Sequence, residues 1–290
     1  MKRCNLCKLE KESIEFHKMK CAPDGLAYTC KMCTKNVTFD WSTKTLRGRL
    51  SRLCATARQR CKKHDWVFGG SVEILEKMWK DQGGKCAYSG IPLSLRGDWQ
   101  VSLERKDPRR GYDLDNMCLI CLELNVSEQW TPAKLEDMKK RQRFIEVDYS
   151  GEQIESFRFT AIHEGKIDLV FLRKKVYASR ERVKKWSRTE RHMEDTLHTL
   201  TLEDVVSILK EQKGLCAYSG FQMDFVARSD FAVSLERKNP RKGYYRDNVF
   251  LVCKVFNVGD HRVESREDME SYPVWSSTKF EQFWNALQQV

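Results

Sequence analysis

Two cysteine pairs near the start of the chain offer the clearest chemistry. Cys4-x2-Cys7 is followed, after 22 residues, by Cys30-x2-Cys33. Two such knuckles can present four thiolates tetrahedrally to one zinc ion. The segment holds too few apolar residues to bury a core of its own, so bound metal is expected to supply much of its folding energy. His17 and Cys21 lie between the knuckles and are alternative ligands. A second kind of site is suggested by hard oxygen donors that occur twice. Glu104 and Asn125 in one stretch, and Glu236 and Asn257 in another, are carboxylate and amide groups suited to Mg2+ or Mn2+.

These donors lie in an internal repeat. Residues 82–126 contain CAYSG, VSLERKDPRRGY, DN and LNV, and residues 212–258 contain CAYSG, VSLERKNPRKGY, DN and FNV. The second copy carries two more residues before VSLERK, and RQRCKK at 58–63 is echoed by RERVKK at 180–185. The chain therefore contains a duplicated module.

The elements that must position the donors follow the same order in each copy. A basic helical stretch comes first. A short amphipathic helix follows, capped by Ser71 in the first copy and by Thr201 with Asp204 in the second, and stopped by Gly83-Gly84 or Gly214. The inward residues are expected to be Leu75, Met78 and Trp79 in one and Val205, Ile208 and Leu209 in the other. CAYSG forms a turn, a first strand carries VSLER, and DPRRGY or NPRKGY forms a loop. A second strand then leads to a helix beginning near Asn125 or Asn257. Alternation along the first strand buries Val101 and Leu103 and turns Glu104 the other way, with Val233, Leu235 and Glu236 repeating the pattern.

With 290 residues, 41% hydrophobic and 32% charged, the chain is expected to be globular. A net charge of +11 and a pI of about 9.0 favour a polyanionic partner. The cations expected on nucleic acid are Arg58, Arg60, Lys62, Lys63, Arg109 and Arg110 in the first copy. Arg180, Arg182, Lys184, Lys185, Arg241 and Lys242 are their counterparts in the second. DNA is the expected partner and RNA the alternative. No apolar run suits a membrane span and no signal-peptide pattern is present, so the expected location is an intracellular, reducing compartment, nucleus or cytoplasm. Twelve cysteines there favour metal binding and free thiols over disulfides.

The paired motifs resemble those of the HNH, or His-Me finger, endonucleases, over about 45 residues per copy. The resemblance implies a β-hairpin and helix gripping one divalent metal. It makes Glu104 and Glu236 metal ligands, Asn116 and Asn248 loop-ordering residues, and Asn125 and Asn257 ligands from the helix. His261, one helical turn beyond Asn257, would complete the second site, whereas the first copy has Gln129 there, so the second is expected to hold metal better. Arg105 and Arg237 stand where the family has its catalytic His. Arginine cannot act as a general base but can hold a scissile phosphate. Tyr88, Tyr218, Tyr112 and Tyr244 are substitute bases or packing residues. Ser89 and Ser219 replace a cysteine expected in a zinc knuckle of each copy, so Cys86, Cys118, Cys121, Cys216 and Cys253 read as buried thiols, with zinc in the first copy as an alternative.

The expected fold class is α+β: a zinc-ribbon-like module (1–44), a first ββα-metal unit (45–130), a connector (131–172) with a strand at SFRFTAI, and a second unit (173–290). The expected activity is metal-dependent hydrolysis of DNA phosphodiesters, with two sites in one chain, structural Zn2+ and catalytic Mg2+ or Mn2+. Duplication makes a monomer sufficient. The alternative is a zinc-containing DNA- or RNA-binding protein built on degenerate nuclease modules.

Overall fold

A computed structural model describes residues 1–125, 130–141, 143, 167–186, 193–258 and 274–290. The chain mixes helices with small antiparallel sheets and forms two compact units, Met1–Asn125 and Val126–Val290.

The first unit opens with two short hairpins, β1 (Lys2–Arg3) with β2 (Glu10–Lys11) and β3 (Phe16–Lys18) with β4 (Leu26–Cys30). Their shared interior consists of buried Cys4, Phe16 and Cys30, with Cys7, Leu26 and Cys33 packed against them. That is a very small core, four of its six residues being ligand candidates. Helix α1 (Lys31–Lys44) follows Cys30 directly and turns into α2 (Leu46–His64) through one residue, Thr45. Thr45 ends α1 by donating its N–H to the Trp41 carbonyl and caps α2 by accepting from the Gly48 N–H. A Cβ on Gly48 would sit 2.1 Å from the Trp41 carbonyl oxygen, so the tight corner requires glycine there.

Helix α3 (Val72–Asp81) is capped by Ser71, buries Leu75 and half-buries Met78 and Trp79. Gly83 and Gly84 stop it with φ of 60° and 68°. Strands β5 (Val101–Arg105) and β6 (Met117–Cys121) pair antiparallel, with Glu104 opposite Cys118. Arg49 on α2 is buried and donates to the Val101 carbonyl at 2.9 Å, fixing the basic helix to the hairpin.

The second unit repeats this plan with α5 (Leu169–Trp186), α6 (Leu202–Glu211), β7 (Val233–Arg237) and β8 (Val249–Cys253). Thr201 and Asp204 form the expected capping box, and Val205, Ile208 and Leu209 are buried. Helix α7 (Ser277–Leu287) closes the unit by packing Phe280 edge to face with Phe256 and Phe283 edge to face with Trp275.

Two features differ from the sequence expectation. The segment expected to be a connector begins with helix α4 (Pro132–Lys140), which belongs to the second unit through Lys134–Asp230 and Arg141–Asp224 ion pairs. Trp130 sits among Phe256, Trp275 and Phe283 of that same unit, because an indole this large buries best in its aromatic core. After each hairpin, a 3-10 turn (Leu122–Leu124 or Lys254–Phe256) replaces the immediate helix start, and Asn125 or Asn257 ends that turn. The expected strand at 156–162, Gln129 and His261 lie outside the described residues. No described helix is long and apolar enough to cross a membrane.

Candidate functional site

The sulfurs of Cys4, Cys7, Cys30 and Cys33 all lie within 4.8 Å of one another. Tetrahedral zinc with Zn–S bonds of about 2.3 Å separates its sulfurs by about 3.8 Å, so the four thiols fit that ion. Cys4 Sγ accepts backbone N–H groups from Cys30 at 3.3 Å and Leu6 at 3.4 Å. The Cys30 N–H outweighs burial and lowers the Cys4 thiol to about 6, favouring the thiolate that a metal needs. Neither His17 nor the exposed Cys21 joins the cluster, which leaves the two matched knuckles as the donor set.

In each repeat the hairpin loop is organised by a buried asparagine. Asn116 Oδ1 accepts the Asp107 N–H at 2.8 Å, while Nδ2 donates to the carbonyls of Asp107 at 3.1 Å and Gly111 at 2.8 Å. Asn248 makes the same three bonds to Asn239 and Gly243, at 2.9, 3.2 and 2.8 Å. The asparagine thus takes the place of backbone partners that a short irregular loop lacks.

Arg105 and Arg237 face this loop. Arg237 donates to the Pro240 and Lys242 carbonyls, the latter at 2.9 Å. Its guanidinium lies 4.4 Å from the Trp186 ring centroid and 5.3 Å from that of Tyr244. Arg105 bonds the Pro108 and Arg110 carbonyls at 2.6 and 3.1 Å, with Trp66 at 4.6 Å and Tyr112 at 5.4 Å. Each guanidinium is tied to the loop through Nη1 and braces it against the neighbouring indole and phenol rings. Arg237→Lys keeps the charge but loses the planar fork. It is expected to lower stability by about 2 kcal/mol, read as a fall in the urea midpoint.

Glu104 and Glu236 each use Oε1 to accept the N–H of the following arginine, at 2.7 and 2.8 Å. Their Oε2 atoms have no partner among the described residues. Asn125 Nδ2 donates to Ser102 Oγ at 2.9 Å and the Leu103 carbonyl at 3.0 Å, and Asn257 repeats this with Ser234 and Leu235 at 2.9 and 2.8 Å. Each amide nitrogen is therefore spent on the strand that carries the glutamate, and each Oδ1 is left without a described partner. Arg60 and Arg182 join this arrangement: each bonds a tyrosine hydroxyl, of Tyr112 at 3.1 Å or Tyr244 at 3.2 Å. Each is also close enough for its charge to act on the glutamate of its own copy.

Burial raises the pKa of both glutamates, against the opposing pull of the neighbouring arginines. A carboxyl with a raised folded pKa favours folding fully below its ordinary value near 4.5 and progressively less as pH rises through the folded value. Glu104→Gln/Glu236→Gln removes that loss. Without added divalent metal, the double variant is expected to match the parent near about pH 5 and exceed it in stability by about pH 8. An equal stability difference at both pH values would contradict burial as the cause.

Tyr112 and Tyr244 are buried beside the arginines, and burial first, then nearby negative groups, pushes Tyr88 and Tyr218 well up, away from base function. His198 pairs with Tyr244 where Phe68 pairs with Tyr112, so it fills a packing position. Cys86 Sγ accepts from the Cys121 N–H at 3.4 Å, and Cys216 from Cys253 at 3.2 Å. Among the described residues, Cys86, Cys118 and Cys121 do not form a metal cluster. Cys118 lies three residues from Cys121 on β6, which turns the two side chains to opposite faces.

The expected phosphate contacts divide into two groups. Lys62, Lys63, Arg180 and Lys185 are exposed on α2 and α5, and Arg58 is exposed with its guanidinium 5.3 Å from the Phe68 ring. Arg109 pairs with Asp107, Arg110 with Asp113 and Asp115, and Lys184 with Glu181, while Arg241 and Lys242 stand 3.9 Å from Glu194. Their net field is smaller than the lysine and arginine count suggests. Sequence reasoning missed Gln82 and Gln212, which bridge helix end to strand by bonding Leu119 and Leu251 through both amide atoms. Their signal was present, since both stand four residues before CAYSG. Comparisons with protein-family models, with curated proteins and with solved structures found no match to this chain.

Proposed function

We propose that the chain is a metal-dependent endonuclease of the HNH kind, hydrolysing DNA phosphodiesters at one site in each repeat and carrying structural zinc at its N-terminal knuckles. The observation that supports this most is the same juxtaposition occurring twice: a glutamate whose Oε2 has no partner among the described residues, an asparagine anchored to the same strand whose Oδ1 likewise has none among them, and an arginine from the basic helix acting on the glutamate. Glu104 with Asn125, and Glu236 with Asn257, offer the one or two hard oxygens by which Mg2+ is commonly held, water and substrate phosphate supplying the rest. A bound Mg2+ or Mn2+ supplies Lewis-acid polarisation and a more acidic water. Arg60 and Arg182 join Arg105 and Arg237 as the cations proposed to neutralise the phosphate. Asn116 and Asn248 keep the loop in shape, and Arg105 and Arg237 brace it. His261 and a following helix remain part of the proposal for the second site.

One feature favours a second reading, a non-catalytic DNA- or RNA-binding protein. The family's general-base position is an arginine bonded to loop carbonyls and packed on rings, and Tyr88 and Tyr218 are pushed away from base function. Incubation with supercoiled plasmid separates the two. Nicked or linear product formed with Mg2+ or Mn2+, and not without added divalent metal, supports the nuclease. Salt-sensitive binding with intact plasmid and intact RNA supports the binder.

A further inference from the structure

A cleft of about 620 Å3 lies between the zinc knuckles and the α1–α2 corner, wholly within the first unit and away from the repeat site. Its lining includes Lys31, Lys35, Arg52, His17, Thr38 and Trp41, and no acidic residue. The spacing of Lys31, Lys35, Thr38 and Trp41 puts them on one face of α1. That face carries cations, a hydroxyl and an indole where a packing helix would carry an apolar stripe. Trp41 is 46% exposed, a large apolar ring left open beside lysines.

The cations are available as well as present. Arg47, on the same corner, is neutralised by Glu73 and Glu76, and Lys44 by Asp40. Lys31, Lys35 and Arg52 have no acidic partner among the described residues, although the chain supplies acids to many of its other surface cations. The Gly48 close approach holds the corner tight, so the cleft is shaped by backbone contact rather than by loose side chains.

We infer that this cleft binds single-stranded nucleic acid, with Lys31, Lys35 and Arg52 on phosphates and a base stacked on Trp41. Exposed aromatics flanked by cations are what a sequence-tolerant strand site requires. A duplex hides its base faces and, with a major groove alone about 12 Å wide, is too broad for a cleft of this volume. The inference rests on the nucleic-acid reading of the chain but assigns a second site, separate from the glutamates.

The test is fluorescence anisotropy of the full chain with labelled dT20, rU20 and a 20-base-pair duplex, without added divalent metal. Lys31→Ala/Lys35→Ala/Arg52→Ala is expected to weaken dT20 binding at least about tenfold and to reduce the slope of log affinity against log salt by about 2. Trp41→Leu is expected to weaken dT20 binding about five- to tenfold with the salt slope unchanged. Both variants should keep the parent's zinc content and melting curve, which separates a lost contact from a lost fold. Tighter binding of rU20 with the same dependence on the variants also supports the cleft and makes the strand RNA. Variants that bind dT20 within about twofold of the parent, or that lose duplex and dT20 binding equally, overturn it. Plasmid cleavage by the parent is scored separately. A cutting protein with indifferent cleft variants refutes the cleft alone, and cleft-dependent binding by a protein that never cuts refutes the nuclease alone.

Discussion

Cys30→Ala is expected to strip the protein of one equivalent of zinc and to unfold the segment from β1 to the start of α1. Apart from the thiols, the interior of that segment is Phe16 and Leu26, so little apolar burial remains to hold two short hairpins. Structural zinc in small modules contributes an apparent 10–16 kcal/mol, about the whole stability of a domain. Metal analysis of the parent should give one zinc per chain. In the variant, proteolysis should cut first between β1 and α1. The second unit should retain its melting transition, because it has a core of its own around Phe256, Trp275 and Phe280. Full zinc content in Cys30→Ala would contradict the four-thiolate assignment, since three ligands with one open position bind structural zinc poorly.

The second large effect is expected at the loop asparagines. Asn116→Ala removes three bonds from a side chain only 2% exposed and leaves the Gly111 carbonyl without its amide donor. Each buried group left unpaired costs about 1–3 kcal/mol, so the loss should reach about 3–5 kcal/mol in a urea titration. Asn116→Asp should be at least as damaging, because a carboxylate would face the two carbonyls that Nδ2 now serves. Leu114→Ala, in the same loop but 60% exposed, should stay within about 0.5 kcal/mol of the parent. A loss below about 1 kcal/mol for Asn116→Ala would mean that the loop does not depend on the amide. Asn248→Ala should behave alike, since its three bonds match in kind and length.

Much of this arrangement was legible in the residues. The two CxxC pairs announced a four-sulfur cluster, and the fold brings those sulfurs together. The repeat announced paired hairpins, and Thr201 with Asp204 announced a capping box. The role of Arg105 and Arg237 was not legible. Their partner indoles, Trp66 and Trp186, stand at different separations from them in the two copies, so no shared offset links them. A motif shows which residue types recur, but ring stacking depends on where a separate helix end packs. The pairing of the loop charges was open to reading, since Asp107, Asp113 and Asp115 lie within a few residues of Arg109 and Arg110 and pair with them. The cleft beside α1 was invisible because it comes from one tight corner, set by Thr45 and Gly48, that no motif marks.

Cleavage of supercoiled plasmid by Glu104→Ala, Glu236→Ala and the double variant, each beside the parent in Mg2+ or Mn2+, tests the central proposal most directly. Two working sites predict linear product from the parent, and nicked circles from a single variant that has lost its site. A dominant second site predicts that Glu236→Ala loses far more activity than Glu104→Ala. In either case the double variant should leave the plasmid supercoiled while keeping its zinc and its fold. Metal-dependent cutting that survives the double variant would place the chemistry elsewhere in the chain, and a parent that binds plasmid without ever cutting it would leave a binding protein built on the same two hairpins.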